Sequence, residues 1–484
     1  MPTERKGLTL TEWLVVIVAA IGFLFDTYEL LMFPVIGADA LAELLKVAPT
    51  DDAVRLWSGR MLWIAALAGG VFGLLGGVLI DRFGRKTVMI GSIFVYSFSP
   101  VAAAYSTELW QLVLFRSTTF IGVCVEAVAA VTWLAELFSD KRKREIVIGW
   151  TLACASLGGI FVTEVYNLII AFVRDNPGGA SWLPVQVAAW RYTLLTGLVP
   201  GALILLLMPF VPESKIWKDK KLAGTLRRPR FGELFSPELR RTTIVTTLLS
   251  ACGYAAAFGA LQLTPLQMVP GLPAINDVKK EAGQKVKAAT EMVRLTEEGS
   301  EARKAAEIDL ANAKKIVPQA IKEKRGNIQR WQELGGLTGR ILFAILVLYL
   351  ASKVLIRVFL LPGVVILPVA YLVLYQGDYT IFAAAIFLCG LMIVAQFSYV
   401  SEFLPKVFPL HLRGTGSAFA TNVGGRMLGT MAATLNTEIL SPLFPGENPV
   451  KVATAAAVIG GAVFFIALVL SFFLPEVREE EHQP

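Results

Sequence analysis

The sequence predicts an all-α membrane protein of twelve transmembrane helices in two pseudo-symmetric six-helix halves, with an external helical hairpin inserted in the second half. Three observations carry this reading. Of 484 residues, 55% are hydrophobic and only 17% charged, at a mean hydropathy of +0.61, where a soluble chain carries about a quarter charged residues. Apolar runs long enough to cross a hydrocarbon layer of about 30 Å, which takes about 20 residues, recur along almost the whole chain. The basic residues between those runs fall on one side when the runs are counted in alternation.

The runs lie at roughly 12–36, 59–80, 87–105, 109–136, 145–172, 190–211, 242–266, 337–352, 356–375, 379–402, 415–440 and 452–474. Met1 to Thr11 is polar, and the first run continues into a full span without a small-residue cleavage site, so it is expected to remain as span 1. Lys353 and Arg357 divide an apolar stretch too long for one crossing. The loops after spans 2, 4, 6 and 10 hold Arg82, Arg85 and Lys86; Lys141 to Arg144; Lys215 to Arg241; and Lys406 with Arg413. That side is expected to be cytoplasmic, with both termini, in a plasma (inner) membrane. The organisation is an N-terminal half at 1–211, a cytoplasmic linker at 212–241, span 7 at 242–275, an insertion at 276–335, and the remaining spans with a cytoplasmic tail at 336–484.

The insertion is charged and alanine-rich, with apolar residues at helical spacing: Val278, Ala282, Val286, Ala289 and Val293, then Ala302, Ala306, Leu310, Ala313 and Val317. Glu298-Gly299-Ser300 separates two helices, and Pro318 is expected to end or kink the second. An alanine seam at this spacing packs the two against each other or against the rest of the chain. Alternation puts the pair outside the membrane, as a spacer or a site for an extracytoplasmic partner.

The net charge of +7 sits in loops between spans, which fits a lipid membrane as partner and not nucleic acid. Cys124, Cys154, Cys252 and Cys389 lie in apolar runs without disulfide or zinc spacing. The two histidines, His411 and His482, lie outside the spans. No nucleotide loop, metal cluster or catalytic triad is present, so no cofactor and no enzyme is expected. Protons crossing here must ride on carboxylates.

The loop after span 2 reads Gly77-Val-Leu-Ile-Asp81-Arg82-Phe-Gly84-Arg85-Lys86. Arg116, Gly122 and Glu126 follow in span 4, and Glu136 stands before Lys141-Arg142-Lys143-Arg144. Pro212-Glu213-Ser214 follows span 6. Ser401-Glu402-Phe403-Leu404-Pro405 and Arg413-Gly414-Thr415-Gly416 flank the loop after span 10, and Leu474-Pro475-Glu476 follows span 12. This set resembles the major facilitator superfamily, in its general sugar and metabolite–proton symporter branch, over the whole chain apart from the insertion. The loop 2–3 signature G-x-x-x-D-R-x-G-R-K matches at every defining position. Cys124 replaces a glycine of the span 4 motif, and the span 8–9 loop, with Lys353 and Arg357, lacks the Asp and glycines of a second signature. Gln262 and Gln267 are spaced differently from the glutamine pair of sugar porters, which argues against a hexose or pentose.

The resemblance implies a secondary active transporter that moves a small polar solute, an organic acid or sugar-like metabolite, by alternating access and proton symport. A facilitator or antiporter of the same fold, or a transporter-like receptor using the hairpin, is the alternative. Intramembrane charges are costly, about 2.5–3.5 kcal/mol each on insertion scales, so they mark the candidate site. Asp26 and Glu29 share a face of span 1. Counting 1.5 Å per residue from each helix start places Asp26 and Arg116 at nearly one depth, so Asp26 is the expected proton carrier and Arg116 its partner, with Glu29 or Glu126 as substitutes. Tyr28, Tyr254, Gln262, Gln396, Asn422 and Arg426 are the expected substrate contacts, with Glu164 and Arg426 also candidates for interhelical pairs. Gly77, Asp81, Arg82, Gly84, Arg85, Lys86, Glu136, Arg144, Glu402 and Arg413 are the expected gating set. Gly69, Gly73 and Gly77 of span 2 and Gly425 and Gly429 of span 11 are expected at the contact between halves.

Overall fold

A computed structural model describes residues 9–138, 141–176, 178–179, 187–223, 231–298, 300–409 and 412–474. The Pro475-Glu476 repeat and both histidines lie outside them, and so do the side chains of Gly77, Asp81, Arg144, Glu402 and Arg413.

The described chain is helical, without a strand. The first half comprises α1 (Leu10–Leu45), α2 (Asp52–Phe83), α3 (Arg85–Ala104), α4 (Leu109–Leu137), α5 (Lys141–Asp175), and a sixth crossing broken into α6 (Ala189–Leu195) and α7 (Leu198–Leu207). A short linker helix, α8 (Lys215–Leu222), follows. The second half begins with α9 (Arg240–Ala256), which continues through π-helical turns to Met268 and a 3-10 turn to Gly271, and into α10 (Pro273–Leu295). Then come α11 (Glu301–Leu346), α12 (Ser352–Val369), α13 (Tyr379–Val407), α14 (Arg413–Phe419) with π-helical turns and the short α15 (Ala432–Thr434), and α16 (Asn448–Ser471). Among the described residues, nine helices are long and apolar enough to cross a membrane. Breaks divide the sixth and eleventh crossings, and the charges of α11 keep it out of that set. Large side chains such as Phe94, Leu168, Leu206, Leu361 and Phe465 are exposed around the bundle, as only contact with lipid makes favourable.

Caps explain several boundaries. Thr9 and Glu12 form a reciprocal capping box at the start of α1. Asp51 and Asp378 accept backbone N–H bonds at the starts of α2 and α13. The chain turns at 347–351, between the two apolar runs flanking Lys353.

The insertion differs from expectation in one respect. It is not a separate unit on a loop: α10 prolongs span 7, and α11 runs unbroken for 46 residues from hairpin tip to span 8. Pro318 neither ends nor divides α11, because it is exposed and the carbonyl it leaves without a donor can face solvent. Ala282 and Ala289 of α10 and Ala306 and Ala313 of α11 are buried, so the alanine seam closes the pair on itself. From Arg325 onward α11 lies inside the bundle: Arg325, Gln329, Gln332 and Glu333 are all buried. The boundary expected at 335 therefore falls about three turns too late.

Candidate functional site

Two glycine-rich crossings position the site. Along α11 and α13, a Cβ on Gly335, Gly339 or Gly390 would strike backbone of the other helix, so these spans meet at close range. Along α5 and α11, the two halves meet in an antiparallel ladder. Gly159 faces the Glu333 carboxylate, Glu164 binds Arg330 through two bonds of 2.6 Å, Gly326 faces Asn167, and Arg174 lies 3.5 Å from Glu323. Glu164 thus does form an interhelical pair, with a residue the sequence had placed outside the membrane.

The expected Asp26–Arg116 pair is not made. Arg116 is buried against the backbone of α1, donating to the carbonyls of Glu29 at 2.6 Å and Leu30 at 3.0 Å. Its acidic neighbour is Glu29, whose carboxyl lies against Gly197 between α6 and α7. Asp26 instead has Glu126 of α4 as its acidic neighbour and Arg426 as its cationic one, and Asp26 Oδ1 and both Glu126 carboxyl oxygens are buried without a hydrogen-bond partner among the described residues. Gly22 leaves room for the Glu126 carboxyl. Depth counting failed because α1 is 36 residues long, far beyond what a crossing needs, so its start does not mark a membrane boundary. Ten residues of α4 separate Arg116 from Glu126, and in antiparallel helices the acid nearest Arg116 is then Glu29.

The second half completes a charged layer around Asp26. Tyr254 is within electrostatic reach of both Arg426 and Arg340. It packs edge-on against Phe397 at 4.9 Å and stacks on Phe258 at 6.0 Å. Arg426 donates to Asn422 Oδ1 at 2.6 Å, and the same oxygen would lie 2.6 Å from a Cβ on Gly73. Asn422 is thus held at the contact between α2 and the eleventh crossing, while Gln396 stands beside Gly253. Tyr28 lies elsewhere, bonded to Thr196 at 2.5 Å inside the first half. Gln262 of span 7 is buried, as are Gln329, Gln332 and Glu333 of α11.

A clasp closes the halves at the hairpin end. Arg325 binds Asp39 at 3.1 Å and the carbonyls of Val35 and Pro265 at 3.1 Å each. Gln267 donates to Ser58 at 2.9 Å, Arg60 to Glu438 at 2.6 Å, Trp63 to the Met427 carbonyl at 2.9 Å, and Arg55 to the Thr437 carbonyl. A buried acid pair and arginines thus sit between two helical halves joined at one end.

A sequence profile of the Major Facilitator Superfamily matches residues 15–284, more than half the chain. The chain belongs to that superfamily. It superposes on the partially occluded, inward-open xylose transporter XylE from E. coli with a TM-score of 0.64, covering 98% of this chain and 100% of that one at 16% identity. At that identity the likeness concerns the fold alone. Among curated relatives, the sialic acid transporter NanX of Escherichia coli is 25% identical over 264 residues, 54% of this chain and 57% of NanX. A probable 4-methylmuconolactone transporter of Cupriavidus pinatubonensis is 23% identical over 405 residues, 83% of this chain and 78% of the relative. The 4-hydroxybenzoate transporter PcaK of Pseudomonas putida is 34% identical over 167 residues, 33% of each chain. The match therefore spans little more than half of NanX and a third of PcaK. These relatives are membrane transporters, not enzymes.

The superfamily's loop 2–3 signature is tied down by the segment after span 6. Gly84 takes φ +96°, open to glycine, and Glu213 accepts the backbone N–H groups of Arg85 and Lys86 at 3.1 Å. Arg85 binds Glu136 at 2.6 Å, and Ser214 binds the other Glu136 oxygen at 2.5 Å. Glu136 thus pairs within its own half, whereas Arg82 is exposed over the Phe83 ring. The glycine stripes also divide differently. Gly70 and Gly73 meet the eleventh crossing, Gly69 faces Phe120 and Cys124 of α4, and Gly425 and Gly429 receive Tyr254 and Ala251 of α9.

Proposed function

We propose that this chain is a proton-coupled symporter of a small organic acid, working by alternating access. The observation that carries the reading is the Asp26–Glu126 pair facing Arg426 between the two halves. Glu29 is answered by Arg116, and Glu333 by Arg340. Arg426 then faces Asp26, which has Glu126 beside it. With both ionised the pair outweighs the arginine, with one proton they balance, and with a second proton the layer is left positive. A carboxylate then fits beside Arg426 and Tyr254. Proton and anion enter together because each makes the other electrostatically acceptable.

The clasp of Arg325, Gln267 and Arg60 closes the hairpin end, which on this reading faces away from the cytoplasm, and leaves release to the loop 2–3 end. The positive-inside distribution of Lys and Arg supports that orientation. The named substrates of several relatives, sialic acid and 4-hydroxybenzoate, are carboxylates, in keeping with an anion site.

Purified transporter in proteoliposomes with an alkaline interior should concentrate an organic acid. One proton per monoanion is electroneutral, so one pH unit drives about ten-fold accumulation, independent of membrane potential. Equilibration without accumulation in every pH gradient would make the protein a facilitator instead.

A further inference from the structure

One turn or more toward the hairpin from the charged layer, α11 presents Gln329, Gln332 and Glu333 on the face that meets the first half. Glu333 Oε1 accepts Gln329 Nε2 at 2.8 Å and Gln332 Nε2 at 3.0 Å. A carboxylate can only accept, so both amides must turn their nitrogens to it, and their oxygens face elsewhere. The Oε1 atoms of Gln329 and Gln332 are buried without a hydrogen-bond partner, as is that of Gln262. These residues are 0%, 2% and 6% exposed, so the oxygens lack water as well as protein donors, and an unmet buried acceptor costs about 1–3 kcal/mol. Glu333 Oε2 packs directly against Gly159 of α5, where a Cβ would overlap it, so the cluster lies against the first half. The cluster is therefore a set of acceptors at the seam between the halves, short of donors.

We propose that this cluster is a subsite for the hydroxyl-bearing end of the transported acid. The inference rests on the organic-acid reading above and specifies which acid: a polyhydroxylated one, its carboxylate toward Arg426 and its hydroxyls toward Glu333, Gln329 and Gln332. The spacing suits this. Glu333 and Arg340, the latter at the depth of the charged layer, are seven residues apart, about 10 Å along the helix, a distance one small solute can bridge. Hydroxyls fit better than an ammonium group because Arg340 already balances the Glu333 charge. Donating groups at the far end also bridge α11 to the first half, so the occupied subsite favours the state with the hairpin end closed.

The test uses the full-length purified transporter and equilibrium binding of gluconate, hexanoate and 6-aminohexanoate, three six-carbon acids that differ in their donors. Wild type should bind gluconate on the order of ten-fold or more tighter than hexanoate, as one or two hydrogen bonds predict. Gln329→Ala and Gln332→Ala should each reduce that preference several-fold and leave hexanoate affinity within about two-fold, with thermal unfolding reporting that each variant is folded. A wild type that binds hexanoate without preferring gluconate overturns the subsite and leaves the organic-acid reading standing. Preference for 6-aminohexanoate overturns the hydroxyl assignment, and equal loss of gluconate and hexanoate in both variants makes the cluster structural. A wild type that binds none of the three overturns both readings.

Discussion

Pro34 and Arg116 are joined through one carbonyl. Pro34 has no N–H to donate to the Leu30 carbonyl one turn back in α1, and Arg116 of α4 donates to that oxygen at 3.0 Å and to its Glu29 neighbour at 2.6 Å. The Phe33 and Phe120 rings flank the guanidinium at 5.7 and 5.1 Å. The arginine repairs a helix that its own proline leaves incomplete, and this role holds it away from Asp26.

Removing Arg116 should therefore cost stability in a way that depends on Pro34. Arg116→Ala should lower unfolding stability by about 1–3 kcal/mol. In a Pro34→Ala background, where residue 34 supplies the N–H, the loss should shrink by about 1 kcal/mol. Thermal unfolding of the two single variants and the double variant in detergent measures the coupling. Strict additivity would mean that the Leu30 carbonyl does not need the arginine.

The Arg325 clasp should hold the hairpin end shut. Arg325→Ala removes the bonds to Asp39, Val35 and Pro265, so a cysteine placed at Ser58 should react with a polar thiol reagent several-fold faster than in the Arg325 parent, as a population shift of about 1 kcal/mol predicts. Native Cys124, Cys252 and Cys389 are buried, and with the half-buried Cys154 replaced by alanine the background is low. An unchanged rate would place the closing energy elsewhere.

How much of this was legible in the sequence depended on whether a residue's surroundings were local. The apolar runs, the loop 2–3 signature and the alanine seam are patterns along the chain, and each was readable. The partners of Asp26 were not, because a contact between α1 and α4 depends on helix start and tilt, which no run length reports. Glu333 was missed for a different reason. A helix face of Arg325, Gln329, Gln332 and Glu333 looks the same whether it meets water or a polar seam in another half of the protein, and charge density pushed it outside the membrane. Arg340 did leave a signal that went unused: it is a charge within the apolar run at 337–352, as costly there as Arg116 or Arg426.

Residues at the hairpin tip should be reachable from outside intact cells. Single cysteines at Gln284 or Glu307, on exposed faces of α10 and α11, should label with a membrane-impermeant thiol reagent. Labelling only after lysis would invert the whole topology.

The Glu213 cap should matter to the structure of the loop 2–3 end. Glu213→Ala leaves the N–H groups of Arg85 and Lys86 without their acceptor, and should cost about 1 kcal/mol of stability. Gly84→Ala should cost more, because it adds strain at φ +96° and a Cβ that would overlap the Glu213 carboxylate. A shift in melting temperature larger for Gly84→Ala than for Glu213→Ala is the expected order.

The central claim is that the Asp26–Glu126 pair carries the proton, and the double variant Asp26→Asn/Glu126→Gln in proteoliposomes tests it most directly. The amides keep the shapes of both side chains but remove both titrating groups, so the charge of Arg426 is uncompensated at every pH and the anion enters without a proton. In an imposed gradient of one pH unit, wild type should accumulate organic acid about ten-fold. The variant should reach no accumulation, yet still exchange labelled for unlabelled substrate at a rate within several-fold of wild type. A double variant that still concentrates its substrate against a gradient would contradict the account, because the carrier would then have to be another group.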